Sequence, residues 1–136
     1  TDGVRTTLEV LRCKSKLKPI IRDNKIIMDI SIEMEAGIVE ITGKEDYMSE
    51  DRVEKMRKTA EKNIARDVVE VIKKVQQEYK VDIFGFGNAI YRLKPKIWKE
   101  IREDWDEEFS KLEVQANVSI TISGTGPLKK QIRGVY

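Results

Sequence analysis

Apolar residues recur at spacings of three and four between positions 50 and 79: Val53, Met56, Ala60, Ile64, Val68, Val71, Ile72, Val75 and Tyr79. That period places them on one stripe of a long α-helix. Ser49 suits the N-cap, and Glu50 and Asp51 complement the dipole in the first turn. Glu54–Lys58, Asp51–Lys55 and Glu70–Lys74 form i,i+4 pairs on the wet side. At a rise of about 1.5 Å per residue, such a helix is roughly 45 Å long, more than a small domain is wide. Because the stripe runs its full length, something equally long must cover it. Strands, at roughly 3.3 Å per residue, are one candidate; a neighbouring domain is the other.

Strands are available. Over 111–123, Leu112, Val114, Ala116, Val118, Ile120 and Ile122 alternate with Glu113, Gln115, Asn117, Ser119, Thr121 and Ser123. That is the pattern of a strand with one face on a core and one in water. A second strand spans 25–36, with Ile26, Met28, Ile30, Ile32 and Met34 inward and Asp29, Ser31, Glu33 and Glu35 outward. Val39 and Ile41 switch parity after Gly37, so a break is expected there. The first strand, about 4–18, also changes parity, with Leu8 and Val10 on even positions and Leu11, Cys13 and Leu17 on odd ones. A one-residue bulge near 10–12 would bury all five on a single face. Asp23-Asn24 between the two strands carries hairpin-turn chemistry. These elements predict an α+β fold: a mostly antiparallel sheet of three to four strands with the long helix and a second helix packed on one face. Residues 1–126 form a single domain in this reading, and 127–136, with Lys129, Lys130 and Arg133, a basic tail outside it.

Between sheet and helix lies the least ordinary stretch of the chain. Asp82 is followed by Phe84-Gly85-Phe86-Gly87, then Arg92, Pro95, Trp98, Trp105 and Phe109. A short helix is expected over 88–93, and Pro95, well placed at a first helical position, opens another through about Phe109. Ile97, Trp98, Ile101 and Trp105 form its buried side, against the Phe84–Gly87 turn. Gly85-Phe86-Gly87 imitates part of a dinucleotide fingerprint, but position 90 is Ile and no acidic residue ends a second parallel strand downstream. The glycines read instead as a tight turn.

Composition narrows the chemistry. The 136 residues are 37% charged and 40% hydrophobic, which describes a globular chain with a heavily solvated surface. There is no histidine, which excludes histidine triads and histidine pH switches and removes the commonest zinc ligand. A lone cysteine, Cys13, cannot close an internal disulfide. The net charge of +2 does not argue for nucleic acid. No apolar run approaches the roughly 18 residues of a membrane span, and no signal peptide is evident. The chain opens on Thr1-Asp2-Gly3 and reads as a segment of something longer.

Charge is unevenly distributed. Residues 5–25 carry seven cationic side chains against Glu9 and Asp23, and residues 100–113 carry seven carboxylates against Arg102 and Lys111. Arg12, Lys14, Lys16 and Lys18 alternate onto one strand face, suited to anionic headgroups or to keeping an edge from pairing. Glu103, Asp104, Asp106, Glu107 and Glu108 crowd the end of the Pro95 helix, where they oppose its dipole. They lack calcium-loop spacing, and no metal is assigned to them.

Asp82, Phe84-Gly85-Phe86-Gly87, Arg92, Pro95, Trp98-Lys99, Trp105 and Phe109, with a following strand ending in Thr125-Gly126, resemble the C-terminal domain of the Ger(x)C family. These are the lipoprotein C subunits of spore germinant receptors. Upstream, Glu9-Val10, Ser15-Lys16, Lys18-Pro19 and the charged helix ending at Tyr79-Lys80 extend the likeness over about Arg5 to Leu128. Tyr91 stands where the family often has histidine, and Ser123-Gly124 where it is often basic. The resemblance implies a non-catalytic domain without cofactor, acting in nutrient-triggered germination with membrane-embedded A and B subunits. It implies a lipid anchor upstream, on the outer face of the inner spore membrane; Cys13, internal to a strand, is not the lipidated residue. Glu103, Asp104 and Glu107 at one end and Arg12, Lys14, Lys16 and Lys18 at the other are the candidate interaction surface. The alternative is a module that binds anionic lipid or a cation at a membrane surface.

Overall fold

In the computed structural model, the backbone is described for residues 5–42 and 50–123, and side chains for 8–37 and 50–123. Strand β1 (Arg5–Arg22) and strand β2 (Lys25–Thr42) have 18 residues each. Helix α1 (Glu50–Glu78) has 29. Two short helices follow, α2 (Phe86–Leu93) and α3 (Pro95–Ile101), then a 3-10 turn at Arg102–Asp104, helix α4 (Trp105–Lys111) and strand β3 (Glu113–Ser123). The sheet has three strands in the order β1-β2-β3.

Asp23 and Asn24 join β1 to β2 with φ of 51° and 64°. Two consecutive left-handed residues make the turn whose twist suits an antiparallel hairpin, and Asp and Asn are the non-glycine residues that tolerate it best. The sheet as a whole is mixed rather than mostly antiparallel. The reason is connectivity: a tight turn can only reverse a strand, whereas a crossover through helices can return the chain in the same direction.

The first strand departs from expectation. It runs unbroken from Arg5 to Arg22, with Leu8 and Leu17 half-buried and Val10, Leu11 and Cys13 exposed. A bulge that buries all five on one face is therefore not what this strand uses. β1 lies at the edge of the sheet, with one neighbouring strand only. Val10, Leu11 and Cys13 lie on both parities of the strand, and neither parity is covered there. β2, the central strand, is better covered: Ile27, Met28, Ile30 and Ala36 are buried, and the strand passes through Gly37 without interruption. Val39 and Ile41 lie outside the described side chains.

The chain divides into two compact units, through both of which β1, β2, α1 and β3 run. One comprises 15–31 and 64–117. Its core is Ile27, Met28, Ile30, Ile72, Phe86, Ala89, Ile90, Phe109 and Leu112. The rings of Phe84 and Phe86 stack at 5.2 Å, and Phe109 lies 6.0 Å from Phe86. Gln76 is the buried polar side chain here; its Nε2 donates to the carbonyls of Phe109 at 2.7 Å and Leu112 at 2.8 Å. The Phe109 carbonyl also accepts the Leu112 amide at 3.2 Å, so Gln76 gives it a second donor and gives the Leu112 carbonyl, just past α4, a donor as well. On the polar face of the strands, Asp29 Oδ1 accepts from Gln115 Nε2 at 2.9 Å and Asn117 Nδ2 at 2.8 Å.

The other unit comprises, among the described residues, 5–14, 32–42, 50–63 and 118–123. Ala36 and Ile120 are its buried apolar residues among those described. β3 is the second edge of the sheet. Glu61 on α1 accepts the Ile120 amide at 2.7 Å, and Arg57 Nη1 reaches the Ile120 carbonyl at 3.5 Å. Helix side chains thus occupy backbone groups that an edge strand would otherwise offer to another strand. Arg57 also pairs with Glu61 at 2.7 Å and with Glu54. The hydrogen bond from Arg57 holds the Glu54 carboxyl below its ordinary value.

α1 keeps its stripe with two exceptions. Ile72 is buried and Val53, Met56, Ala60, Ile64, Val68 and Val75 are half-buried, but Val71 and Tyr79 are exposed. Position 71 lies beside the stripe rather than on it, and Tyr79 falls after the last helical turn. Lys80, with φ of 53°, closes that end as its amide bonds to the Val75 carbonyl at 2.9 Å. Ser49, the expected N-cap, lies outside the described residues.

Candidate functional site

Asp82 organises the segment that stood out in the sequence. Its Oδ1 accepts the backbone amides of Phe84 at 3.2 Å, Gly85 at 3.0 Å and Phe86 at 3.1 Å. Its Oδ2 accepts the amide of Gly87 at 2.8 Å and the indole Nε1–H of Trp105 at 3.3 Å. One carboxylate therefore gathers four successive amides at the start of α2. These amides lack intrahelical acceptors, and their dipoles favour a negative charge. The residue at the N-cap position, Gly85, contributes no side chain, so Asp82 does the capping from three residues upstream. The helix consequently begins at Phe86, two residues before the expected 88. The available clue was an aspartate just ahead of a glycine turn, since such side chains bond backbone amides a few residues on.

The two glycines serve different ends. Gly85 has φ of +84°, and a Cβ there would meet nothing within 4 Å. It is required by backbone conformation. Gly87 is required by space: a Cβ would lie 3.0 Å from Trp105 Nε1 and 3.0 Å from Trp98 Cη2. Trp98 and Trp105 meet edge to face at 5.3 Å, and Trp105 continues to Phe109 at 6.0 Å. The expected contact between the tryptophans and the glycine turn is present. Their helix is not the expected continuous one. It breaks at Arg102–Asp104, so Pro95 starts α3 and Trp105 starts α4.

That break changes the electrostatics of the acidic run. Asp106, Glu107 and Glu108 stand in the first turn of a new helix, where carboxylates are favoured, not in the last turn of an old one. Glu103, Asp104 and Glu107 are all exposed, and Glu107 lies 3.7 Å from Lys111 Nζ. Among the described residues no three His, Cys, Asp or Glu side chains converge as a metal site. Arg12, Lys14, Lys16 and Lys18 are exposed along β1. Arg92 is exposed in the last turn of α2, where a cation suits the dipole, and Phe109 is fully buried.

A groove of about 560 Å³ opens beside the Asp82 turn. Val81, Asp82, Tyr91, Trp98, Trp105 and Asp106 contribute to its lining, and Tyr91 is 58% exposed. Nothing in the sequence marked this groove. Its lining joins the Asp82 turn and α2 to Trp98 of α3 and the start of α4.

Comparison with known proteins gives a consistent picture. The family model described as spore germination B3/GerAC like, C-terminal, matches residues 1–126. Spore germination protein B3 of Bacillus subtilis (strain 168) is 30% identical over 129 residues, 94% of this chain and 34% of that protein. Spore germination protein YndF of the same organism is 29% identical over 123 residues, 90% of this chain and 30% of the relative. The chain thus spans about a third of the length of the curated relatives it matches. Among solved structures, the crystal structure of the GerBC protein superposes with a TM-score of 0.73 at 28% identity, covering 88% of this chain and 40% of that one.

Proposed function

The chain belongs to the spore germination B3/GerAC-like C-terminal family, and on that premise we propose that it is a non-catalytic domain of a germinant receptor C subunit. It acts in receptor assembly or signalling during nutrient-triggered germination. The observation that carries this reading is the use made of the family motif. Asp82 is spent on four amides and an indole, Gly85 on a left-handed backbone, Gly87 on two tryptophans, Pro95 on a helix start and Phe109 on the core. Residues so engaged build a rigid platform and leave no nucleophile–base pair among themselves. The work of such a platform is to present surfaces.

In this reading residues 1–126 act as one domain and 127–136 as a tail. The partners are the membrane-embedded A and B subunits, and a lipid anchor upstream holds the protein on the outer face of the inner spore membrane. No helix among the described residues is long and apolar enough to cross a membrane itself. The docking surface is the exposed acidic junction of Glu103, Asp104 and Glu107, with charge governing encounter and register more than affinity. Reversing these three to lysine in the full-length protein, in spores, should leave the melting temperature of the purified domain unchanged and cut recovery of the membrane subunits in pull-downs. Undiminished recovery would overturn the assignment. The exposed Arg12, Lys14, Lys16 and Lys18 support a second reading, contact with anionic lipid. Salt-sensitive co-sedimentation with anionic but not neutral liposomes would favour it.

A further inference from the structure

The groove beside the Asp82 turn has a recognition chemistry that the turn itself does not use. Three aromatic side chains line it, Tyr91, Trp98 and Trp105, and among the described residues its charged lining side chains are Asp82 and Asp106. No cationic side chain among the described residues lines it. Asp82 is committed to amides and an indole, yet its negative charge remains in the wall. Asp106 is exposed at the start of α4. Aromatic faces beside carboxylates attract cations, through the ring quadrupole and by direct pairing. A planar guanidinium exploits both at once, stacking on a ring while its fork meets a carboxylate; a compact ammonium does this less well.

The surroundings point to a cation carried on a polypeptide. Val81 in the lining and Ile83 beside Asp82 are 55% and 69% exposed, apolar surface that flanking residues of a peptide would cover. At the same helix junction as Asp106, Glu103, Asp104 and Glu107 outnumber Arg102 and Lys111, the latter 3.7 Å from Glu107, and the net negative field would steer a basic segment toward the groove. The groove is open rather than enclosed, which suits a side chain carried on a docked segment. We infer that this groove receives an arginine side chain presented by a basic peptide segment of a partner protein. The inference goes beyond the receptor reading and does not depend on which protein supplies the segment.

The chain provides its own reporter, because its two tryptophans, Trp98 and Trp105, both line the groove. The 136-residue chain is titrated with acetyl-Gly-Arg-Gly-amide and, in parallel, with the Gly-Gln-Gly peptide and with free arginine, following tryptophan fluorescence. A saturable change with the arginine peptide alone is expected, weakening as salt is raised. Asp106→Asn and Tyr91→Ala, both at exposed positions, should each weaken it about three- to tenfold while leaving far-UV circular dichroism unchanged. Glu9→Gln, on β1, serves as control and should have no effect. Equal response to the glutamine peptide, or full affinity in both variants, overturns the site. Free arginine binding as tightly as the peptide overturns the polypeptide occupant.

Discussion

Removing the Asp82 carboxylate tests the claim that this side chain, more than either glycine, holds the segment together. Asp82→Ala leaves four amides and an indole N–H without their acceptor, at contacts that span 2.8 to 3.3 Å. Hydrogen bonds to a charged group contribute about 1.5–3 kcal/mol each in isolation. They share one carboxylate, so the contributions do not add, and the turn is only part-buried, so water replaces some of them. A lost helix cap alone costs about 0.5–2 kcal/mol, and the charge at the helix start about 0.3–1 kcal/mol more. The lost indole hydrogen bond adds to this, and a loss of about 2–4 kcal/mol is expected. With a urea dependence of about 2 kcal/mol per molar for a small domain, the midpoint should fall by about 1–2 M. Asp82→Asn keeps one acceptor oxygen, loses the charge and turns an amide group toward donors, so it should fall between the variant and the parent. Asp106→Asn, an exposed carboxylate nearby, should stay within about 0.5 kcal/mol of the parent. Unfolding is followed by both tryptophan fluorescence and circular dichroism, since coincident curves separate global from local loosening. If Asp82→Ala unfolds within about 0.5 kcal/mol of the parent, the capping argument is wrong.

The glycines should fail differently. Gly85→Ala meets no atom but forces a left-handed alanine, at a cost of about 1–2 kcal/mol with unchanged tryptophan emission, whereas Gly87→Ala pushes on both indoles and should shift that emission while losing about 1–3 kcal/mol. Gln76→Leu keeps the volume but removes a donor from each of the Phe109 and Leu112 carbonyls, of which the first keeps the Leu112 amide; a loss of about 1–3 kcal/mol in urea unfolding is expected, and a neutral result would show that water replaces the amide. Glu54 has a folded-state pKa depressed by Arg57, so its contribution is present above the unfolded value and lost as pH falls through the folded one. Glu54→Gln should therefore flatten the stability–pH curve only below the ordinary value of 4.5, and a change confined to neutral pH would contradict the pairing.

Much of the architecture was legible along the chain. The three- and four-residue spacing of apolar side chains set the long helix, and the strict alternation through Val114, Ala116, Val118 and Ile120 set the last strand, because each pattern expresses a backbone period that neighbours need not supply. Asp23-Asn24 marked its hairpin, since few residues accept the left-handed backbone found there. The clustered glycines and tryptophans marked a close approach, and they carried the family resemblance. Tertiary structure decided what depends on distant partners. Strand direction follows from the crossover, not from any strand's own pattern, which left the sheet mixed. Exposure of Val10, Leu11 and Cys13 is decided by what the fold lays against β1, which the strand's own pattern does not state. The four amides gathered by Asp82, the Ile120 amide taken by Glu61 and the groove beside Trp98 all join groups brought together by folding. A sequence displays periods and local turn chemistry directly; it does not display which of its polar groups will find one another in space.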